Sequence, residues 1–159
     1  MKLIKIIKKE IIIICIFFFT VIIDQITKFY IYENKFYFLE GVKLYSWLNL
    51  VYVENQGISF GILSELNISF YLGIISTLVS FYIFYLIKKS DKSSEKIALS
   101  LILGGAIGNG IDRIKVGYVI DFIDVHVGEL HWPVFNFADS FITVGGVLYF
   151  WLIFFNKNH

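Results

Sequence analysis

Hydrophobic residues along this chain fall into four long runs separated by polar segments. The run at 68–87 has no charged residue, and those at 97–114 and 136–155 carry charge only near one end. A helix needs about 20 mostly apolar residues to cross the hydrocarbon core of a membrane. The pattern therefore predicts four transmembrane helices, at about 11–32, 68–87, 97–114 and 136–155.

The segments between these runs, 33–67 and 115–135, are too polar to lie in hydrocarbon. Val42 to Val53 is rich in Val, Leu, Tyr and Trp, which favours short strands on the membrane surface. Asn55 to Gly61 is typical of a turn, either a plain hairpin or a mobile glycine lip. We expect one domain, 1–159, with the fold class of an all-α membrane protein that carries a small surface sheet.

Composition agrees with a membrane protein. The chain is 57% hydrophobic and only 17% charged, with a mean hydropathy of +0.73, whereas a soluble domain is about a quarter charged. A basic start followed by an apolar run is also typical of a cleaved signal peptide. However, Thr20 to Ile23 offers no pair of small residues for cleavage, so we expect a retained anchor. The net charge of +1 gives no indication of a nucleic-acid partner, and the single Cys15 excludes an intramolecular disulfide.

The distribution of charge predicts the topology. If the N-terminus is cytoplasmic, the inner side holds nine basic and three acidic residues, and the outer side holds five basic and ten acidic. Basic residues concentrate on the cytoplasmic side, so both termini are expected there. Seven polar residues of the helix ends and the second loop then fall near the outer face, where they could converge: Asp24, Asn109, Asp112, Arg113, Asp121, Asn136 and Asp139.

Ionisable groups in so apolar a chain are functional candidates. Asp24 and Lys28 share one helical face, either as an interfacial ion pair or as a polar anchor beneath a site. Asp112 and Arg113 are interpreted as a structural ion pair. A spacing of three residues places Asn109 on the same side of its helix as Asp112, and Asn136 on the same side as Asp139.

Asp121 and Asp139 have no basic residue within four positions. Two carboxylates brought close together share a proton, because both cannot ionise cheaply. One would then activate water as a base while the other acts as an acid, which is aspartyl-protease chemistry without a metal or cofactor. The residues alone do not select Asp121 over Asp124 or Asp112 as the partner of Asp139.

Two other interpretations of the acidic residues stay open. Intramembrane Asp residues also serve proton relays, so a small proton-coupled transporter is about as well supported as an enzyme. A metal site is a weaker alternative, because the spacing of its candidate ligands matches no ligand motif. Those candidates are Asp121, Asp124, His126, His131 and Asp139, and we expect both histidines to be surface groups.

Five short motifs, in this order and spacing, resemble the lipoprotein signal peptidase family, also called signal peptidase II. The resemblance covers nearly the whole chain. The motifs are Asp24-Gln25-Ile26-Thr27-Lys28; Asn55-Gln56-Gly57 with Phe60-Gly61; Gly104-Gly105-Ala106-Ile107-Gly108-Asn109 with Asp112-Arg113; Val119-Ile120-Asp121-Phe122; and Phe135-Asn136-Phe137-Ala138-Asp139-Ser140.

The resemblance implies a membrane aspartyl endopeptidase with a small extracytoplasmic β-cradle, in which Asp121 and Asp139 are the catalytic pair. It implies supporting or substrate-binding roles for Asp24, Asn55, Gly57, Gly105, Asn109, Asp112, Arg113, Asn136 and Ala138. Two departures from the family pattern, Ile58-Ser59 and Phe141, are bulkier than usual and are expected to narrow the substrate groove.

The resemblance also implies the substrate and the location of the enzyme. Substrates would be prolipoproteins whose lipobox cysteine already carries diacylglycerol, and cleavage would fall just before that cysteine. We expect a monomer in the bacterial cytoplasmic membrane, in contact with lipid, with no cofactor and no nucleic-acid partner. The aromatic segment 33–67 is expected to rest at the headgroups and close over the peptide, with Tyr37, Tyr45, Trp47 and Tyr52 as its interfacial residues.

Overall fold

The structure, a computed structural model, describes residues 2–57 and 69–155, with side chains from residue 7 onward. Five helices and four strands follow one another in these residues. They are α1 (Lys2–Glu33), α2 (Lys35–Phe38), β1 (Val42–Tyr45), β2 (Leu48–Asn55), α3 (Ser69–Lys89), α4 (Ser93–Lys115), β3 (Val119–Val127), β4 (Leu130–His131) and α5 (Phe137–Phe155). The tip of the predicted glycine turn, 58–61, lies outside the described residues.

The four predicted apolar helices are confirmed as α1, α3, α4 and α5. Each is long and apolar enough to cross a membrane. Three of the observed helices extend beyond the predicted bounds because the flanking lysines are good helix formers. Helix α1 includes the basic start of the chain, α3 continues to Lys89, and α4 begins at Ser93. The last helix begins one residue later than predicted, because Asn136 caps it.

Helix α4 is the centre of the bundle. It packs against α1, α3 and α5. In its apolar stretch 61% of the residues are buried, against 11–22% in the apolar stretches of the other three helices. Its glycines allow this close approach. A Cβ atom at Gly104 would lie 2.7 Å from Cβ of Thr20, and one at Gly108 would lie 2.5 Å from a carboxylate oxygen of Asp24. The small-residue pair in the sequence is thus the surface on which α1 packs.

Gly105 lies where α4 contacts α5, and Gly105→Ala is expected to destabilise the protein by about 1–3 kcal/mol. An added Cβ would press on the backbone carbonyl of Ala138 and lie 2.7 Å from Cγ1 of Ile142. Gly146→Ala is the matched control, because nothing lies within 4 Å of a Cβ there. Thermal unfolding in detergent should show a lower melting temperature for the first variant only. Equal melting temperatures would contradict this packing.

The strands form one antiparallel sheet in the order β1-β2-β3-β4. Strands β1 and β2 confirm the prediction for Val42 to Val53, but β3 and β4 were not predicted. In β3 the first four residues are all buried, so its sequence lacks the alternation that marks a half-exposed strand. The register of β2 and β3 places Val53 opposite Asp121.

A small hydrophobic core joins the sheet to the C-terminal end of α1, and its buried members are Ile31, Phe38, Tyr52, Ile120 and Phe122. The prediction that Tyr52 is an interfacial residue is wrong, because its ring is buried and its hydroxyl donates to Glu54. Tyr37, Tyr45 and Trp47 are exposed, and the last two stack on each other.

Candidate active site

The two predicted catalytic aspartates come from the sheet and from the start of α5. Asp121 is the third residue of β3, and Asp139 is the third residue of α5. The chain just before α5 is held against β3, because the backbone N–H of Phe135 donates to the carbonyl of Ile123 and Ile123 returns the bond. This pairing brings the first turn of α5 next to the strand that carries Asp121.

Asn136 hydrogen-bonds to both aspartates. Its side-chain Nδ2 donates to Oδ1 of Asp121 at 2.6 Å, and its backbone N–H donates to Oδ2 of Asp139 at 3.2 Å. The N–H of Asp139 donates back to Oδ1 of Asn136 at 2.9 Å. This reciprocal arrangement is a capping box, which satisfies two free N–H groups at the start of a helix. One fully buried side chain therefore caps α5 and links the two carboxylates.

The remaining carboxylate oxygens are also bonded by neutral amides. Asn55 Nδ2 donates to Oδ2 of Asp121 at 2.9 Å, and Asn109 Nδ2 donates to Oδ1 of Asp139 at 2.8 Å. Asn109 also accepts a bond from Asn136, at 3.1 Å. Three asparagines from three different elements therefore orient both acids without neutralising either.

Burial raises the pKa of Asp121 to about 7, and repulsion from Asp139 adds to this shift. The hydrogen bonds from Asn55 and Asn136 and the more distant Lys28 oppose it only in part. The side chain is 2% exposed, so loss of water around the charged form is a substantial cost. With a pKa raised this far, the coupled pair of Asp121 and Asp139 can hold one proton near neutral pH.

A buried cation lies beneath the site. Lys28 Nζ is 2.9 Å from Oδ2 of Asp24 and 2.7 Å from Oδ2 of Asp112, and it donates to Oδ1 of Asn109 at 2.7 Å. Its side chain is 2% exposed, so the Asp24–Lys28 pair is buried and the interfacial interpretation is wrong. Its role as an anchor beneath a site stays a prediction.

Asp24 and Gln25 connect this buried cluster to the neighbouring helices. Oδ1 of Asp24 accepts the backbone N–H of Ala138 at 2.9 Å. Gln25 Nε2 donates to Asp112 Oδ1 at 3.0 Å and to the carbonyl of Gly108 at 3.2 Å. Gln25 and Lys28 were absent from the predicted set of site residues. The four-residue spacing of Asp24 and Lys28 was the signal that could have included the lysine.

The predicted ion pair between Asp112 and Arg113 is wrong. Consecutive residues on a helix point about 100° apart and do not face each other, so Asp112 pairs with Lys28. Arg113 instead donates from Nη2 to the carbonyl of Gly57 at 3.0 Å. The Gly57 N–H donates to Oδ1 of Asn55 at 3.0 Å, so Arg113 holds the turn that positions Asn55.

Asp124 belongs to a separate cluster further along β3. Its Oδ1 lies 2.7 Å from Nδ1 of His131, and its Oδ2 accepts from Asn49 at 2.9 Å. Burial alone would raise the pKa of Asp124, but these two hydrogen bonds, together with the charge attraction of His131 and His126, outweigh it and lower the pKa. His131 is about half exposed, as predicted, whereas His126 is partly buried and stacks on the His131 ring. The candidate metal ligands are therefore divided between two clusters: Asp121 and Asp139 lie around Asn136, whereas Asp124, His126 and His131 lie further along the sheet.

The family described as signal peptidase (SPase) II matches residues 16–155. The lipoprotein signal peptidase of Thermodesulfovibrio yellowstonii is 47% identical over 133 residues, which is 83% of this chain and 87% of that protein. The lipoprotein signal peptidase of a Janthinobacterium species is 46% identical over 134 residues, covering 81% of this chain and 79% of that protein.

Solved structures give the same result for the fold. Two structures of bacterial membrane enzymes superpose with TM-scores of 0.81 and 0.76, each at 33% identity and each covering 92% of this chain. The match covers 92% of the first solved chain and 94% of the second. The sequence match and the shared fold together assign the chain to the signal peptidase II family of membrane proteins.

Proposed function

We propose that this protein is a membrane aspartyl endopeptidase that removes signal peptides from prolipoproteins, with Asp121 and Asp139 as its catalytic pair. Membership of the signal peptidase II family supports the peptidase activity, and nothing in the comparisons supports the transporter. The observation that carries the catalytic assignment is the bridge through Asn136, which bonds to both carboxylates.

The pair holds one proton between two acids, and this supports a simple cycle. The ionised carboxylate takes a proton from water as the water oxygen bonds to the scissile carbonyl carbon, while the protonated carboxyl group gives its proton to the carbonyl oxygen. When this tetrahedral diol collapses, the C–N bond breaks and the amine nitrogen takes a proton from the acid formed in the first step. One hydroxyl proton of the diol returns to the carboxylate that protonated the carbonyl oxygen, which leaves the new carboxyl group and restores the pair. Coupled groups share this titration, so the proton is assigned to the pair.

The supporting residues act through these acids. Asn55, Asn109 and Asn136 fix the orientation of the carboxylates. Asp24, Asp112 and Lys28 hold α1 against α4 beneath them, and the Ala138 N–H bond of Asp24 fixes the start of α5. Gly105 gives α5 room to approach, and Arg113 and Gly57 place the turn that carries Asn55.

The proposed substrate is a prolipoprotein whose lipobox cysteine carries diacylglycerol. A signal peptide is an apolar helix that can arrive laterally through the bilayer. Each buried CH₂ of its lipid contributes about 0.8 kcal/mol, so much of the affinity can be independent of sequence. The enzyme would work as a single-domain monomer in the bacterial cytoplasmic membrane, with both termini in the cytoplasm and the two aspartates at the outer face. The excess of lysines at the opposite end supports this orientation.

The pH dependence of cleavage follows from the raised pKa of Asp121. Because the carboxyl group keeps its proton up to about pH 7, the pair loses its acid as the pH rises through that value. We expect kcat/KM to fall about tenfold per pH unit well above pH 7. A rate that stays constant from pH 7 to 9, with the protein still folded, would contradict a shared proton.

The substrate class is tested by comparing two forms of one prolipoprotein. The diacylglyceryl-modified form and the unmodified form are incubated with purified enzyme in detergent, and the products are read by gel shift and mass spectrometry. We expect cleavage of the modified form just before the lipidated cysteine and little cleavage of the unmodified form. Equal cleavage of both would contradict recognition of the lipid.

A further inference from the structure

An apolar groove lies on the side of α4 that faces away from the two aspartates. Its floor is α4 and its walls are α1 and α3, which both pack on α4. The cavity measures about 640 Å³, within the range of roughly 300–1,000 Å³ typical of pockets that hold small ligands. Its large apolar residues include Ile14, Phe18, Phe81, Leu103, Ile107 and Ile114.

The groove is distinct from the active site. On α4 it is lined by Ile107 and Ile114, whereas Asn109 and Asp112 belong to the site. Residues two apart on a helix point roughly 200° apart, so each of these isoleucines points away from its site neighbour. The body of α4 thus separates the groove from Asp139. A signal peptide lying in the groove would have its scissile bond on the wrong side of this helix.

The hydroxyl groups that line the groove are already used within the protein. Ser76 Oγ donates to the carbonyl of Ala106, and Ser80 Oγ donates to the carbonyl of Ser76, both at 2.8 Å. Thr77 and Ser100 likewise donate to carbonyls one turn earlier in their helices. Each hydroxyl has a single proton to donate, so none of these four is free to donate a hydrogen bond to a ligand. The lining suits a hydrocarbon chain.

One end of the groove is positively charged. Glu10 and Lys88 lie at this end, but Lys96 Nζ already pairs with Oε1 of Glu10 at 2.6 Å. Lys88 is exposed and makes no ion pair with any described residue. Around it, residues 7–10 and 88–96 carry six lysines and three acidic residues. An anionic group at this end would be attracted, and Lys88 is placed to meet it.

We propose that this groove binds an acyl chain of an anionic phospholipid, with the lipid phosphate at Lys88. The α4 floor from Ser100 to Ile114 is about 21 Å long, which exceeds half of the ~30 Å hydrocarbon core. An acyl chain from the leaflet at the lysine end can therefore lie along it. The proposal is independent of the peptidase function, since the groove shares no catalytic residue with the site.

Native mass spectrometry of the purified protein in detergent tests the charge recognition. The probes are phosphatidylglycerol and phosphatidylcholine with identical acyl chains. We expect one saturable phosphatidylglycerol adduct and weaker binding of phosphatidylcholine. Lys88→Gln should weaken phosphatidylglycerol binding about fivefold, which corresponds to about 1 kcal/mol for one lysine near a lipid surface. Lys89→Gln is the matched control, because Lys89 is also exposed but does not line the groove.

A second pair of variants tests the groove itself. Thr77→Trp places a large ring in the groove, whereas Leu78→Trp adds the same ring on an exposed position outside it. We expect the first to abolish the adduct and the second to leave it unchanged, with both proteins folded by circular dichroism. Equal lipid binding by these two variants, or by the two lysine variants, would overturn the proposal. A raised KM for prolipoprotein in Thr77→Trp, with the lipid adduct intact, would identify the signal peptide as the occupant instead.

Discussion

Asp121→Asn is expected to lower kcat for prolipoprotein cleavage by at least about a thousandfold while the protein still folds, and Asp139→Asn should do the same. An asparagine fills nearly the same space and can still hydrogen-bond to its amide neighbours. However, it cannot take a proton from water or return one to the leaving nitrogen. Single-turnover cleavage in detergent, with melting temperatures measured alongside, separates loss of chemistry from loss of fold.

Asp124→Asn is the matched control for this experiment. Asp124 lies on the same strand as Asp121 and is also buried, at 4% exposure. Its partners are His131 and Asn49, so the change should weaken the end of the sheet and reduce cleavage only mildly. Loss of activity in Asp124→Asn with normal activity in Asp121→Asn would overturn the assignment of the catalytic pair.

Lys28→Met is expected to destabilise the protein by about 3–5 kcal/mol, the usual cost of removing one partner from a buried ion pair. The ammonium group lies within 3 Å of carboxylate oxygens of Asp24 and Asp112. Without it, two buried acids face each other with no cation between them, and Asn109 loses one of the two donors to its amide oxygen. The melting temperature in detergent should fall by an amount of the order of 10 °C, and kcat should fall as well.

The control for that change is Lys115→Met, which removes the lysine at the C-terminal end of α4. Lys115 is exposed, and exposed charges contribute about 0–1 kcal/mol. Its melting temperature should stay within a few degrees of the wild type. If Lys28→Met and Lys115→Met unfold at the same temperature, the buried cluster does not stabilise the helix packing.

The four membrane helices were predictable because each contains an apolar run of about the length that is needed to cross the hydrocarbon core of a bilayer. The small residues of α4 were equally informative, since only glycine permits the contacts that Gly104 and Gly108 make. Strand β3 was not predicted. It is buried at its start, and a short apolar run without alternation is compatible with several structures.

The sequence predicted many of the polar residues that the structure brings together, but it did not predict all of their partners. The acids and amides were identified as polar residues in an apolar chain, but their partners lie far away in sequence. Lys28 and Asp112 are joined across two helices, and no local spacing predicts that contact. The wrong pairing of Asp112 with Arg113 arose from adjacency in sequence, which on a helix directs side chains apart.

The most direct test of the central claim compares wild type with Asp139→Asn in a gel-shift cleavage assay. Both purified proteins receive a diacylglyceryl-modified prolipoprotein in detergent, with and without EDTA. The catalytic pair predicts cleavage by the wild type alone, at a rate that EDTA does not change. Cleavage by Asp139→Asn at the wild-type rate, or complete inhibition of the wild type by EDTA, would contradict catalysis by two aspartates.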